Sequence, residues 1–228
     1  MGRIFYTADH HFCHSKVIAM SKRPFRDVRH MNGEMIRRWN DRVRPADVVY
    51  HLGDFSFGPV VEAERYFHAL NGKKHLIIGN HDKPSVRDWP WESVSEMKMI
   101  EDDGRRIFLC HYPMAEWPSF YRHVPHFHGH VHGNRQVPGA VDVGVDLWGY
   151  APVTADEALA TLVEREQRRE RKSVVDFGSE LVREVAARAD SWMVGWEREH
   201  LANAIDEAAM RALDDLLQDR VDRSGGSR

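Results

Sequence analysis

The chain has few cysteines, little net charge and only short apolar runs. These shortages argue against a disulfide-stabilised protein, a strongly basic protein and a membrane-spanning protein. Two cysteines in 228 residues cannot staple a chain of this size, which favours a reduced, cytosolic protein. Lysine and arginine number 32 against 35 acidic residues, a formal net charge of −3, so no strong positive field attracts nucleic acid or an anionic membrane. No apolar run approaches a membrane span of about 20 residues, and no apolar segment follows Arg3 as in a secretory signal. We therefore expect a cytoplasmic protein that does not enter a membrane.

Histidine is the residue present in excess. The chain has 15 histidines, about three times the usual share, which makes metal or acid/base chemistry worth testing. The rest of the composition, 42% hydrophobic and 29% charged, is that of an ordinary soluble protein. The length is sufficient for one well-buried domain, with room for an appendage.

Short β-rich apolar runs recur in the first two thirds of the chain, and each ends in a polar cluster. Between them lie two helical patterns: Met31 to Trp39 repeats at steps of three and four residues, and Val60–Leu70 is the second. Alternating strands, polar loops and helices predict a layered α/β protein with its functional groups on loops at the carboxyl ends of strands. The predicted strands are Arg3–Tyr6, Val48–Leu52, His75–Ile78, Ile107–Cys110, Pro125–His128 and Ala140–Val145.

The pattern changes after Val153. Thr154 is the expected N-cap of a helix, and the apolar periodicity between residues 182 and 216 predicts two amphipathic helices forming an αα-hairpin. We expect a core over residues 1–153, a helical C-terminal extension over 154–222 and a disordered tail over 223–228. Trp192 and Trp196 suit an interface, so the extension is a candidate surface for a homo-oligomer; a lid and additional core are the alternatives.

Oxygen and nitrogen donors gather in the polar clusters that follow the predicted strands. Asp9 and His11 are two residues apart, so both side chains would face one side of an extended segment, and His130 and His132 form a second such pair. Two divalent ions about 3.5–4 Å apart need one shared carboxylate and roughly three further ligands each. The chain offers two carboxylates, one amide and four imidazoles. These candidate ligands are Asp9, His11, Asp54, Asn80, His111, His130 and His132.

The order of these motifs resembles the calcineurin-like metallophosphoesterase superfamily. The matching motifs are Asp9-x-His11, Gly53-Asp54, Gly79-Asn80-His81-Asp82, His111 and Gly129-His130-x-His132. Finer details resemble a small group of bacterial and phage phosphoesterases within it. Those details are Arg23-Pro24-Phe25, Trp39-Asn40, His111-Tyr112-Pro113 and Val145-Asp146-x-Trp148. The resemblance covers residues 3–153, and five motifs in one order make it specific.

The resemblance implies a fold and a metal site. The fold is a four-layer αββα sandwich, in which two β-sheets face each other with helices outside and the site at one edge. One metal ion would be held by Asp9, His11, Asp54 and His132. The second would be held by Asp54, Asn80, His111 and His130, which makes Asp54 the bridging ligand. His81 would lie near the leaving group. A mixed nitrogen and oxygen set without a thiolate suits Mn, Fe, Zn, Co or Ni.

The second motif departs from that of the protein phosphatases in this superfamily. Those extend it to G-D-x-x-D-R-G, whereas Phe55-Ser56-Phe57-Gly58 follows Asp54 here. The acid that would pair with the catalytic histidine and the phosphate-binding arginine are therefore missing, which argues against a protein phosphatase. Other residues are candidates for these and related roles. We expect Arg23 to contact phosphate oxygens, His14 to approach substrate, Asp82 to orient His81, and Asp146 to orient a ligand histidine.

These residues predict a phosphoesterase. The hypothesis is that a hydroxide held between two ions attacks phosphorus while His81 donates a proton to the leaving oxygen. Small phosphomonoesters or phosphodiesters are the expected substrates, with nucleotides and cyclic nucleotides favoured. A nuclease is the narrower alternative, against which the net acidity counts. A non-catalytic interaction scaffold belongs to a different class; relatives of that kind have lost ligands, and this chain has lost none.

Overall fold

The computed structural model describes residues 2–165, 167–169 and 172. The chain divides into two compact units, Met1–Val163 and Glu164–Arg228, and the first contains every strand described below. The predicted αα-hairpin, with Trp192 and Trp196, lies outside the described residues, as does the predicted tail. The expected domain boundaries and the homo-oligomer therefore stay predictions.

The first sheet is parallel throughout and is connected by helices. Its strands stand in the order β1-β2-β3-β4. The strands are β1 Ile4–Thr7, β2 Val48–His51, β3 Lys73–Ile77 and β4 Ser93–Ser95. Two helices lie between β1 and β2, one between β2 and β3, and one between β3 and β4. These helices are α1 Ser15–Met20, α2 Val28–Arg42, α3 Val60–Ala69 and α4 Pro84–Arg87.

The second sheet is mixed. Its first strand runs antiparallel to the second, and the remaining pairs are parallel. The strands, in spatial order, are β5 Met97–Asp102, β6 Arg105–Cys110, β7 His126–His128 and β8 Ala140–Asp142. A last helix, α5, begins at residue 155 and is helical through residue 165.

The two sheets pack face to face, and helices cover the outer face of the first. The core between the sheets combines Tyr6 and Ile77 of the first with Leu109 and Phe127 of the second. A separate core lies between the first sheet and α2 and α3, where Trp39 is fully buried. This burial is the main driving force for the layered arrangement, at roughly 25 cal/mol per Å² of apolar surface. The predicted fold class, two facing sheets with helices outside, is confirmed.

Two helices begin at side-chain caps. The carboxylate of Asp27 accepts a hydrogen bond from the backbone N–H of His30 at 2.8 Å, at the start of α2. Thr154 and Glu157 form a capping box at the start of α5: the backbone N–H of Thr154 donates to Glu157 at 2.8 Å, and that of Glu157 donates to the Thr154 hydroxyl at 3.4 Å. Such a cap stabilises a helix by about 1 kcal/mol. The expected N-cap at Thr154 is confirmed.

The carboxyl ends of the central strands meet at one edge of the sandwich. A parallel bridge between Ala8, after β1, and Gly144, after β8, joins the two sheets there. Because parallel strands all deliver their following loops to the same edge, the loops after β1, β2, β3, β6 and β7 converge. Among the described residues, no helix is long and apolar enough to cross a membrane.

Candidate metal centre

Most of the expected ligands lie on left-handed backbone rather than on extended segments. Their φ angles are 59° for Asp9, 51° for His11, 58° for Asp54, 73° for His130 and 47° for His132. The expectation that Asp9 and His11 face one side because their segment is extended is therefore wrong. Non-glycine residues in this region cost about 1–3 kcal/mol each and cluster at functional sites. The strained loops turn the side chains toward one another.

One group of side chains brings Asp9, His11 and His132 together. Their candidate ligand atoms all lie within 4.8 Å of one another, and the rings of His11 and His132 are stacked with centroids 5.2 Å apart. Oδ2 of Asp9 accepts a hydrogen bond from the backbone N–H of His130 at 2.9 Å, whereas Oδ1 is buried without a partner. An unpartnered buried carboxylate oxygen is costly, and a cation in this group would satisfy it.

A second group contains Asp54, His111 and His130. Nδ1 of His111 lies 2.7 Å from the carbonyl oxygen of Leu52, which can only accept, so Nδ1 carries the proton. Burial lowers the pKa of His111 to about 4, so the ring is neutral and its Nε2 has a lone pair. That lone pair faces Oδ1 of Asn80 at 3.1 Å. Two acceptor atoms that converge in this way fit two ligands of one cation.

Asn80 and Asp54 complete the set of expected ligands. Oδ1 of Asn80 is also 3.0 Å from Nδ1 of His130, so it belongs with the second group. Oδ2 of Asp54 lies 3.6 Å from Nε2 of His11 and 3.6 Å from Nε2 of His111. One carboxylate oxygen thus stands at equal distances from a histidine of each group. This is the position that a bridging ligand requires.

The backbone of two neighbouring residues closely contacts one oxygen of the Asp54 carboxylate. Oδ1 accepts a hydrogen bond from the backbone N–H of His81 at 2.9 Å. A Cβ at Gly79 would collide with Oδ1 and with the backbone nitrogen of Asp54, so only glycine permits this approach. Gly53 has a φ of 90°, a second position where a side chain would be strained.

Burial governs the electrostatics of the centre. Burial, followed by the neighbouring Asp142 and Asp54 carboxylates, raises the pKa of Asp9 well above its usual value, and burial raises the pKa of Asp54. Burial, followed by His132, lowers the pKa of His11. Divalent cations favour deprotonated carboxylates and neutral imidazoles, so cations would compensate the burial of these groups. The donor set fits divalent metal ions.

Asp146 contacts His132, one of the expected ligands. Its Oδ2 lies 2.7 Å from Nδ1 of His132, which directs the other ring nitrogen of His132 away from the carboxylate. Burial alone would raise the pKa of Asp146, but hydrogen bonds from His132 and Arg23 outweigh burial, and the pKa is lowered. The carboxylate is therefore charged in this environment.

The expectation that Arg23 contacts phosphate is wrong. Its side chain is fully buried, and its guanidinium donates to Asp146 twice, at 2.7 and 2.8 Å. The remaining donors contact the carbonyl oxygens of Asp9 and His10, at 2.7 and 2.9 Å, and the sulfur of Met31. All five N–H groups of an arginine are then in use, so none is left for a ligand. Arg23 instead supports the Asp9 loop and Asp146.

Asp82 also has a different role from the one expected. Its carboxylate is buried and accepts hydrogen bonds from the backbone N–H groups of Asp54, Phe55 and Gly79, at 2.8–2.9 Å. It therefore fixes the loop that presents Asp54, and these contacts replace the expected one with the ring of His81. Asp142, which sequence reasoning missed, fixes the loops after β7 and β8 in a similar way. Its carboxylate accepts hydrogen bonds from the backbone N–H groups of Gly133 and Gly144, both at 2.8 Å.

His81 and His14 lie together at the mouth of the centre. Nε2 of His81 is 4.0 Å from Oδ2 of Asp54, and 40% of the His81 side chain is exposed. Its ring meets the ring of His11 edge-on at 5.6 Å. The ring of His14 lies 5.5 Å from that of His11, and burial, followed by the nearby His81, lowers the pKa of His14. Of the two, His81 is the one whose ring nitrogen lies close to the Asp54 carboxylate.

Comparison with known sequences identifies relatives over most of the chain. No family model matches it. The protein MJ1445 of Methanocaldococcus jannaschii is 31% identical in an alignment that covers 72% of this chain and 93% of that protein. The chain belongs to the family of MJ1445. The gene 66 protein of Mycobacterium phage D29 is 26% identical in an alignment that covers 65% of this chain and 90% of that protein.

One solved structure has a similar fold over most of this chain. The protein of unknown function AQ665 from Aquifex aeolicus superposes with a TM-score of 0.57 at 28% identity, over 69% of this chain and 97% of that chain. The structure of a novel archaeal phosphodiesterase aligns at 18% identity with a TM-score of 0.38, over 62% of this chain and 81% of that chain. The chain has the five motifs in the same order along the sequence, two facing sheets, and the motif side chains gathered at one edge of the sandwich. These features confirm the resemblance to the calcineurin-like metallophosphoesterases.

Proposed function

We propose that this chain is a binuclear metal-dependent phosphoesterase that hydrolyses small phosphomonoesters or phosphodiesters, with nucleotides or cyclic nucleotides favoured. The observation that carries the proposal is the position of Asp54, whose Oδ2 is 3.6 Å from a histidine of each ligand group. Asp9, His11, Asp54 and His132 would hold one ion, and Asp54, Asn80, His111 and His130 the other. The intact ligand set argues against a non-catalytic scaffold.

Two divalent ions bound by these residues would supply a water molecule of lowered pKa and would neutralise charge on the phosphoryl oxygens. The chain supplies the geometry around them. Asp146 and Leu52 fix the rings of His132 and His111 through their Nδ1 atoms, and Asp82 fixes the loop of Asp54. Rigid ligands of this kind position the reacting groups without a reorganisation cost during the reaction.

His81 is the proposed general acid. It is close to Asp54 but belongs to neither group of candidate ligands, and its exposed Nε2 can reach the oxygen of a leaving group. A histidine in this place would donate a proton to the departing alkoxide, a contribution of typically 10²- to 10⁴-fold.

Turnover by metal-stripped protein resupplied with Mn or Ni tests the proposal. The substrates are a phosphomonoester, a phosphodiester and a 2′,3′-cyclic nucleotide, which together distinguish the two ester classes. We expect hydrolysis of at least one after metal is restored and none after stripping. A protein that binds metal and hydrolyses no phosphate ester would contradict the proposed function.

A further inference from the structure

Phe57 is an exposed aromatic residue at the rim of the metal centre. Its exposed fraction is 43%, and single exposed aromatic residues are common on protein surfaces. Two contacts distinguish Phe57 from such a residue. Its ring is stacked on that of His14, with centroids 4.2 Å apart and planes 27° from parallel. It also meets the ring of His81 at 5.0 Å and 81°, so the Phe57 ring lies beside the proposed acid.

The backbone that carries this ring is held in place. The N–H of Phe57 donates to the carbonyl oxygen of Phe12 at 2.9 Å, and Phe12 forms a β-bridge with the buried Ser56. On the other side, a Cβ at Gly58 would lie 2.5 Å from the Cβ of Cys13, so the chain passes Cys13 in close contact. A ring fixed before a ligand arrives loses little conformational entropy on binding.

We propose that Phe57 determines the leaving-group specificity of the enzyme by stacking on a planar heteroaromatic group, such as a nucleobase. The inference rests on the proposed function, because His81 marks the leaving-group side only if it is the general acid. An aromatic platform selects for a base without distinguishing one base from another, since every base has a π-face. The substrate class is therefore a nucleoside phosphate rather than a simple sugar phosphate.

A second exposed aromatic residue provides an internal comparison. Tyr112 is 45% exposed, but its ring lies 4.8 Å from that of His130 and 5.1 Å from that of His111. It therefore borders the second ligand group and not the proposed acid. Tyr121 lies on the 3-10 turn Phe120–Arg122, is 78% exposed and donates a hydrogen bond to Glu116. It serves as a control for the loss of an exposed aromatic side chain.

The test compares two esters that share a leaving oxygen and differ by a base: adenosine 5′-monophosphate and ribose 5-phosphate, each also as its methyl diester. Base–aromatic stacking corresponds to a preference of roughly 5- to 150-fold in kcat/KM for the adenosine ester. Phe57→Ala should bring that ratio toward one, and Phe57→Tyr should restore it. Tyr121→Ala should keep the wild-type ratio. A ratio that persists in Phe57→Ala, or that collapses in Tyr112→Ala instead, would overturn the assignment.

Calorimetry with non-hydrolysable phosphonate analogues of the same two esters separates this inference from the proposed function. If no ester is hydrolysed but Phe57→Ala removes a binding preference for the adenosine analogue, the proposed function fails and the stacking site stands. If esters are hydrolysed and the wild-type protein binds both analogues equally, the stacking site is wrong and the phosphoesterase stands. Equal binding without hydrolysis contradicts both.

Discussion

Nδ1 of His132 lies 2.7 Å from Oδ2 of Asp146. A carboxylate at this position accepts a hydrogen bond from Nδ1–H, which leaves the Nε2 lone pair for a metal ion. The two residues are 14 positions apart in the sequence, and Asp146 lies in the short 3-10 turn Val145–Leu147, which two residues separate from the end of β8. Because Asp146 also accepts hydrogen bonds from the buried Arg23, the pair connects the ligand set to Arg23.

Asp146→Asn should weaken metal binding roughly 10- to 100-fold, because an amide keeps the volume but no longer enforces the His132 tautomer. The measurement is Mn affinity by competition with a chelator. Asp156→Asn is the matched control, since Asp156 is an exposed residue that pairs with Arg105. Unchanged Mn affinity in Asp146→Asn would show that the hydrogen bond does not support a ligand.

Arg23→Met should destabilise the fold by about 3–5 kcal/mol, because it leaves the buried Asp146 carboxylate without its cation. Urea unfolding measures the loss. In Arg37→Met, which removes an exposed side chain from surface pairs, the unfolding midpoint should stay at the wild-type value. Normal stability of Arg23→Met combined with a raised KM would instead restore the phosphate-binding role that the geometry rejects.

His81→Ala should keep its metal content and lose rate. If His81 protonates the leaving oxygen, the loss is largest for alkoxide leaving groups and smallest for an acidic one such as a nitrophenol, which departs without a proton. The comparison is kcat for an alkyl and a nitrophenyl ester in wild type and variant. Equal losses for both esters would exclude His81 as the acid.

The sequence predicts the parts of this fold that have an apolar or periodic pattern. Helix α2 follows from the spacing of Met31, Met35 and Trp39, all of which are buried. Strand β4, Ser93–Ser95, has no fully buried residue, and β5 has one buried residue, Ile100, among six. Helices α1 and α4 have six and four residues, too few for a recognisable period. Their existence depends on packing that a local pattern does not contain.

The candidate ligands were predictable because their order along the chain is a recognisable motif series. The role of Arg23 was not, because its carboxylate partner Asp146 is 123 residues away and no local pattern records that contact. The left-handed backbone at Asp9 and His11 was also missed, since the choice between extended and left-handed conformations is made by the surrounding loops.

His126 provides a prediction of pH dependence. Burial, followed by the neighbouring His128, lowers the pKa of His126 from 6.5 to about 4. The unfolded chain therefore takes up a proton below about pH 6.5 that the native state does not bind. For this residue, the free energy of unfolding should fall as pH falls from 6.5 toward 4, by at most about 1.4 kcal/mol per pH unit.

The measurement for His126 compares the stability of the wild type with that of a variant, so that the contributions of other titrating groups cancel. Unfolding of chelator-treated wild type and His126→Gln should be followed by urea between pH 7 and 4.5. The stability of the wild type relative to the variant should decrease as the pH falls. A difference that is independent of pH would show that His126 is not held neutral in the native protein.

A stepwise Mn titration of metal-stripped protein, with bound metal and phosphoesterase turnover followed together, tests the binuclear centre most directly. We expect the wild-type chain to bind two ions and its turnover to depend on the second equivalent. We expect Asp54→Ala to bind fewer than two ions and to show little turnover. Saturation at one ion, or near-normal metal content and turnover in Asp54→Ala, would contradict the proposed binuclear centre.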